Sequence, residues 1–319
     1  MAGRKSREEK MKILVYGAGV MGSLYGARLE ESGQDVTVLA RGKRLEEIRE
    51  HGLVLEDATA GQRTTTAVRS IDRLSPEDAY DLVVVLMRRT QIGAVLPILA
   101  ENRHTPNVLF MCNNASGPDE MIEALGRNRV LLGFPGAGGV LTGHVVRYVV
   151  VSGRNQATTL GEPGGKTTPR LRRVARAFKA AGFPVETSKN MDAWLKTHVV
   201  KVSPVANALY MAGGDNHELA RRRDVLALMV RAMREGFQVL RALQIPILPP
   251  KLKVVEWLPE PVVTFLMRLM VDTKQAEITM AGHANVARDE MKQIADEFMA
   301  LARTTSVPTP AMDRLYACI

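Results

Sequence analysis

Cysteine is scarce in this chain: Cys112 and Cys318 are the only two among 319 residues. Two isolated thiols make no disulfide framework, so the expected setting is a reducing cytoplasm. Aromatic residues contribute only 5%. The formal charge is +9, yet the basic residues are scattered and no nucleic-acid motif accompanies them, which argues against a nucleic-acid partner. Long apolar runs are missing too. The stretch from Val262 to Val271 is short and carries Arg268, which excludes a membrane span. Residues Met1 to Lys10 are polar and basic with no apolar centre, and read as an extension ahead of the fold, not as a secretory signal. No spacing of His, Cys, Asp and Glu suggests a metal site, and no Ser-His-Asp pattern stands out. What remains is a chain with 46% hydrophobic residues, long enough for two domains, whose positive charge suits anionic small-molecule ligands.

Ile13-Leu14-Val15-Tyr16 is a short apolar strand that runs into Gly17-Ala18-Gly19-Val20-Met21-Gly22. This is a Gly-x-Gly-x-x-Gly turn opening a helix that includes Ser23 to Leu29. In such a turn the first glycine permits tight reversal, the second lets a pyrophosphate approach the backbone, and the third lets helix and strand close up. The bare amides at the helix start then meet the phosphates, aided by the helix dipole. A dinucleotide site at Gly17, Gly19, Val20, Met21 and Gly22 is the expectation. Asp35 to Arg41 reads as the second strand. Sites for NAD usually carry an acid about 20 residues beyond the glycines, to bond the ribose 2′-hydroxyl. Arg41 stands there instead, followed by Lys43 and Arg44. A guanidinium attracts a 2′-phosphate where a carboxylate would repel it, so NADP(H) is favoured over NAD. Lys43 and Arg44 could also simply begin a helix over Leu45 to Glu50 and face solvent.

Apolar strands alternate with helices through the first half. Asp81 to Met87, Asn107 to Cys112 and Val130 to Gly133 read as buried parallel strands. Gly133 to Gly139 reads as a loop, Tyr148 to Val151 and Thr158 to Gly161 as late strands with an antiparallel option, Leu171 to Ala181 as an amphipathic helix, and Phe183 to Thr187 as a last strand. Beyond Ser188 the pattern is helical, with long helices over Glu218 to Leu243 and Val286 to Arg303. In the second of these Ala287, Met291, Ile294, Phe298 and Leu301 form one apolar stripe. The expected fold is α/β: a Rossmann-type doubly wound sheet domain over residues 11–188, then an all-α C-terminal domain over 189–319.

Four features together resemble the ketopantoate reductase (2-dehydropantoate 2-reductase) family. They are the glycine turn, Asn113 after a strand, Trp194-Leu195-Lys196 opening the second domain, and Ala287-Arg288-Asp289-Glu290-Met291 followed by Val307-Pro308-Thr309-Pro310. The resemblance covers nearly the whole chain from Met11. It implies a cleft between the two domains, NADPH-dependent reduction of a small 2-oxo acid and, for ketopantoate itself, a step of pantothenate biosynthesis. It also implies that Lys196 is catalytic with Glu290 as its partner, that Asn113 bonds ribose or substrate, and that Arg88, Gln91 and Arg41 meet the cofactor. The chain departs from the family where asparagines usually follow the lysine by four and eight residues; Val200 and Pro204 stand there. The serine expected ahead of the glutamate falls at Ile278, beside Thr279, and the aspartate after it has no match, with His283 close by. These departures point to a substrate tail less polar than that of ketopantoate.

Reducing a ketone needs a hydride on carbon and a proton on oxygen. A nicotinamide supplies the first. A lysine in a dry cleft can polarise the carbonyl and supply the second; on this reading Lys196 is the acid, and Glu290 holds its ammonium or a substrate hydroxyl. Lys196, Val200, Ser203 and Asn207 recur at four, three and four residues, so they share one helix face. Ser203 and Asn207 are therefore expected to replace the missing asparagines, with Thr279 as a substrate contact and Pro204 kinking the helix. Cys112, His198 and His283 read as structural. Two other readings stay open: a β-hydroxyacid or imine-type NADP dehydrogenase, and a protein that senses NADP without turning it over. The apolar late helices serve a core or a homodimer contact equally well.

Overall fold

The computed structural model describes residues 10–319. The expectation for the N-terminal extension thus lies outside the described residues, Lys10 excepted. The first half alternates as β1 (Lys12–Tyr16), α1 (Val20–Glu31), β2 (Asp35–Leu39), α2 (Gly42–His51), β3 (Leu53–Asp57), β4 (Arg63–Thr66), β5 (Arg69–Ile71), β6 (Leu82–Val85), a 3-10 turn (Arg89–Gln91), α3 (Ile92–Glu101), β7 (Val108–Met111), α4 (Asp119–Leu125), β8 (Val130–Phe134), β9 (Ala137–Thr142), β10 (Val145–Val150), α5 (Gly153–Gln156), β11 (Thr158–Gly161), α6 (Pro169–Ala180) and β12 (Val185–Thr187). The main sheet has eight strands in the order β12-β11-β8-β7-β6-β1-β2-β5. Every neighbouring pair is parallel except β11 with β8. Chain order reverses between β1 and β6, the switch point where a doubly wound sheet opens a crevice beyond its strand ends. The side chains of β6, β7 and β1 fill both faces: Leu14, Val83, Val85 and Phe110 on one, Ile13, Val15, Val84 and Leu109 on the other. These continuous apolar runs leave a central strand no polar face.

A second, four-stranded sheet, β4-β3-β10-β9, stands apart from the first. The late strand expected at Tyr148 belongs to it, as β10, antiparallel to β9 and parallel to β3. The expected loop over Gly133 to Gly139 is shorter than read, because β8 runs to Phe134 and β9 begins at Ala137. Strands such as Arg-Thr-Thr-Thr in β4 and the glycine-rich β9 carry no apolar run, so only their pairing partners make them strands.

All elements after Thr187 are helical: α7 (Met191–Met211), α8 (Asn216–Arg221), α9 (Arg223–Ala242), a 3-10 turn (Pro250–Lys253), α10 (Val254–Trp257), α11 (Glu260–Val271), α12 (Lys274–Ala276), a π turn (Glu277–Ala281), α13 (Gly282–Val286), α14 (Arg288–Ala302) and α15 (Pro310–Tyr316). The single helix expected from Glu218 is two, separated at Arg222, whose ψ of 83° leaves the helical region. The helix expected from Val286 is likewise broken at Ala287, with φ −123° and ψ 37°. Met291, Ile294 and Phe298 of its stripe are buried as read, and Leu301 is partly so. The core of this half lies between α7, α9, α14 and α15. Helices α7 and α9 approach closely at Gly236, where an added Cβ would sit 2.7 Å from Val200 Cγ1. Helix α7 continues through Pro204 without interruption.

Candidate active site

The glycine turn is shaped by sterics. Gly17 adopts φ +103°, and a Cβ there would lie 2.8 Å from the Leu86 carbonyl oxygen. At Gly22 a Cβ would lie 1.7 Å from the Gly17 carbonyl oxygen, so no other residue lets α1 start so close to β1. At Gly19 a Cβ would meet nothing within 4 Å; this side is open. Gly19 is the N-cap of α1 and offers no side-chain acceptor, so the first amides of the helix keep donors to spare. An open glycine at an uncapped helix start fits a pyrophosphate. Arg44, half-buried, braces the turn from behind, donating to the Ala18 carbonyl at 3.0 Å and to Ser23 Oγ at 2.9 Å. Arg41 is exposed at the N-cap of α2. Burial raises the nearby Tyr16 phenol above its ordinary pKa, and the Arg41 guanidinium opposes that rise. Lys43 is exposed and pairs with Glu47 at 3.6 Å.

Beyond the ends of β6 and β7, side chains from both halves meet around Glu290. This carboxylate is 3% exposed. Its Oε1 accepts from the Arg89 amide at 3.0 Å and from Asn113 Nδ2 at 3.3 Å, and its Oε2 lies 3.4 Å from His283 Nε2. Burial alone would raise its pKa; the His283 contact and the two donated bonds outweigh this, and the carboxyl titrates below its usual range. Asn113 Oδ1 is buried and unpartnered, an acceptor free for a ligand hydroxyl. Lys196 is 8% exposed. Its Nζ is held 2.5 Å from both oxygens of Asp192, one turn earlier on α7, rather than by Glu290. A Cβ on Gly117 would come within 3.6 Å of that Nζ, so the ammonium lies against the loop that follows Asn113. Asn114 shapes this loop, accepting from the Gly117 amide at 2.9 Å.

Two family models match this chain: Ketopantoate reductase PanE/ApbA over residues 13–165 and its C-terminal counterpart over residues 190–319. The chain belongs to the ketopantoate reductase family. A 2-dehydropantoate 2-reductase of Pyrococcus horikoshii is 29% identical over 239 residues, covering 72% of this chain and 73% of that protein. The oxidoreductase YkpB of Bacillus subtilis, itself uncharacterised, is 27% identical over 190 residues, 58% of this chain and 61% of its own. Among solved structures, a 2-dehydropantoate 2-reductase from Geobacter metallireducens superposes with a TM-score of 0.76 at 18% identity, covering 96% of this chain and 98% of that one. D-mandelate dehydrogenase in complex with NADH and anilino(oxo)acetate gives 0.76 at 18% identity over 97% and 96%. At these identities the structural matches speak for the fold: a Rossmann-like parallel-sheet domain followed by a helical one.

Other residues read from the sequence as site candidates sit elsewhere in this family member. Arg88 turns to the helical half, bonding Asp289 at 3.1 Å and the Val286 carbonyl at 2.7 Å. Gln91 Oε1 accepts from the Arg88 amide at 3.2 Å. Ser203 and Asn207 are not brought to the Glu290 group. They line a small cavity with Phe298, Met299 and Tyr316, where Asn207 Oδ1 is buried without a partner. Val200, one turn before Ser203, is 2% exposed and packs on α9 at Gly236. Thr279 donates to the Gln275 carbonyl at 2.8 Å, and its side chain lies against Gly138 of β9. Cys112 is buried, which pushes its thiol up to about 12 and leaves it inert. Sequence reading missed Arg89. This buried guanidinium lies 2.5 Å from Glu120 and 2.8 Å from Glu297, and donates to Ser116 Oγ at 3.0 Å. Glu297 Oε2 in turn accepts from the Ala115 amide at 2.9 Å. The only signal for it was its place beside Arg88.

Proposed function

We propose that this protein is an NADPH-dependent reductase of a small 2-oxo acid. The observation that carries this reading is the meeting of Asn113 and Glu290 at one buried point beyond the ends of β6 and β7, in a sheet whose β1 leads into the glycine turn. The backbone at Gly17 to Gly22 would hold the pyrophosphate, and Arg41 the ribose 2′-phosphate; its exposed place at the start of α2 suits a dianion. When bound, the nicotinamide supplies the hydride. The unpartnered Asn113 Oδ1 would accept from a ribose or substrate hydroxyl. Lys196, poised by Asp192, would move onto the carbonyl oxygen, polarise it and give up a proton. Glu290, fixed by Arg89, Asn113 and His283, would orient that donor or the substrate. The division into residues 11–188 and 189–319 follows from the same reading, with one half for nucleotide and the other supplying Lys196 and Glu290.

The test is NADPH oxidation over a panel of 2-oxo acids beginning with ketopantoate, each repeated with NADH. The expected result is turnover with at least one acid and a preference for NADPH. Nucleotide binding without turnover on any acid would replace the reductase by a nucleotide sensor, and a preference for NADH would remove the role of Arg41.

A further inference from the structure

Helix α7 has a second functional-looking face, and the reduction above makes no use of it. Trp194, His198 and Lys201 recur at four and three residues and share one side of the helix. Lys196, two residues past Trp194, points roughly 200° around the axis from it. The Trp194 side closes a cleft against α5 and residues 248–252. One wall is aromatic: the His198 and Trp194 rings stack with centroids 5.3 Å apart and planes 6° from parallel. Burial, then the charges of Lys201 and His283, hold His198 well below its ordinary pKa, so this wall is neutral. Leu248 and Pro249 extend it.

The other end of the cleft is cationic. Lys201 Nζ donates to Gln156 Oε1 at 3.1 Å and enters no ion pair among the described residues. Lys251 lines the same cleft and donates to the carbonyls of Arg154 and Asn155. Glu186 stands exposed at the rim and pairs with neither lysine. Burial, together with Lys251, brings the Lys201 ammonium down to about 8. Two ammonium groups thus share one cleft, and every acceptor they have is neutral. Among the described residues no carboxylate is in contact with either ammonium.

We propose that this cleft binds the carboxylate of a small apolar organic acid, with Lys201 and Lys251 on the carboxylate and the Trp194–His198 stack against the apolar body. A carboxylate gives each ammonium a charge-assisted bond that an amide or carbonyl oxygen does not. The ring stack adds contact area that favours an aromatic or branched acid over a bare inorganic anion. The site stands whether or not the protein reduces 2-oxo acids.

The tryptophans make it testable. The chain has two, and the other, Trp257, is 75% exposed. A Trp257→Phe protein leaves Trp194 as the sole reporter inside the cleft. Its emission is followed during titration with benzoate, which cannot be reduced as a 2-oxo acid, and with benzamide, its neutral counterpart. The expected result is a saturable response to benzoate and none to benzamide. In the same background Lys201→Met should weaken benzoate binding by roughly tenfold or more, and Lys251→Met by severalfold. A thermal melt checks that Lys201→Met folds; if it does not, Lys251→Met decides. The proposal is overturned by an absent benzoate response, by an equal response to benzamide, or by unchanged affinity in the folded lysine variants.

Discussion

The glycine turn follows β1 and the Glu290 cluster gathers beyond the neighbouring strands β6 and β7, but the two are built by opposite means. In the turn, three residues without side chains let backbone approach backbone, and the open position Gly19 sits between two positions where no Cβ fits. The information is local, and the structure is set by exclusion of volume. Around Glu290, side chains and amides come from the turn after β6, the loop after β7, α13 and α14. Here the structure depends on charges that are satisfied only once both halves have docked. A steric site tolerates no substitution at its closed positions, Gly17 and Gly22, yet needs no charged partner. An electrostatic site tolerates isosteres but fails when one contributor leaves, because a buried charge is then stranded.

That contrast can be broken at several points. Lys196→Ala should lower kcat by roughly 10²- to 10⁴-fold, the usual worth of a positioned proton donor, with nucleotide affinity unchanged in a binding titration. Loss of both together would make Lys196 a structural residue. Glu290→Ala leaves the Asn113 amide, the Arg89 N–H and His283 without their acceptor, and should cost about 3 kcal/mol in denaturant unfolding. Glu290→Gln should recover part of that. Gly22→Ala forces α1 away from β1 and should cost about 2–3 kcal/mol while abolishing nucleotide binding; a fully stable variant would show that the turn has slack. Arg41→Ala should reduce the preference for NADPH over NADH by roughly tenfold, read as the ratio of the two kcat/KM values. Smallest of all, Arg88→Ala removes a half-exposed pair and should change stability by less than about 1 kcal/mol.

Acidity sharpens the same comparison. The native pKa of Glu290 is lowered, so its bonds add stability above the ordinary carboxylate range. That contribution is lost as pH falls through the lowered native value. Denaturation curves between pH 7 and 3 should therefore steepen at the acid end for the natural protein and flatten for Glu290→Gln. The glycine turn has no titrating group and should contribute nothing to that slope.

Much of the sheet was legible because β1, β6, β7 and β8 are continuous apolar runs that can only be buried. The strands β4, β5 and β9 were not, since short polar or glycine-rich segments become strands only through partners brought from elsewhere; β3 carries the buried run Leu53-Val54-Leu55, which was passed over. The breaks at Arg222 and Ala287 were invisible for a related reason: neither Gly nor Pro marks them, and only the backbone angles record the interruption. The resemblance singled out Asn113 and Glu290 but gave Glu290 to Lys196 and Asn113 to a ribose or substrate; their bond to each other was not read. The pairing of Lys196 with Asp192 was open to reading from their spacing of one turn, whereas the resemblance implied Glu290 as its partner. The face shared by Lys196, Ser203 and Asn207 is real on a helical wheel. What no wheel could supply is that α9, α14 and α15 claim the later part of it.

Arg89 has a mechanical consequence. It leaves the sheet half on the turn after β6, yet its amide and guanidinium end on Glu290 and Glu297 of α14, while the same guanidinium reaches back to Glu120 of α4. One side chain therefore rivets the two lobes together at the mouth of the crevice. At the other end of the contact between the halves, β9 rests on the π turn by side-chain packing of Thr279 against Gly138, so the charged seam and the packed seam lie on different elements.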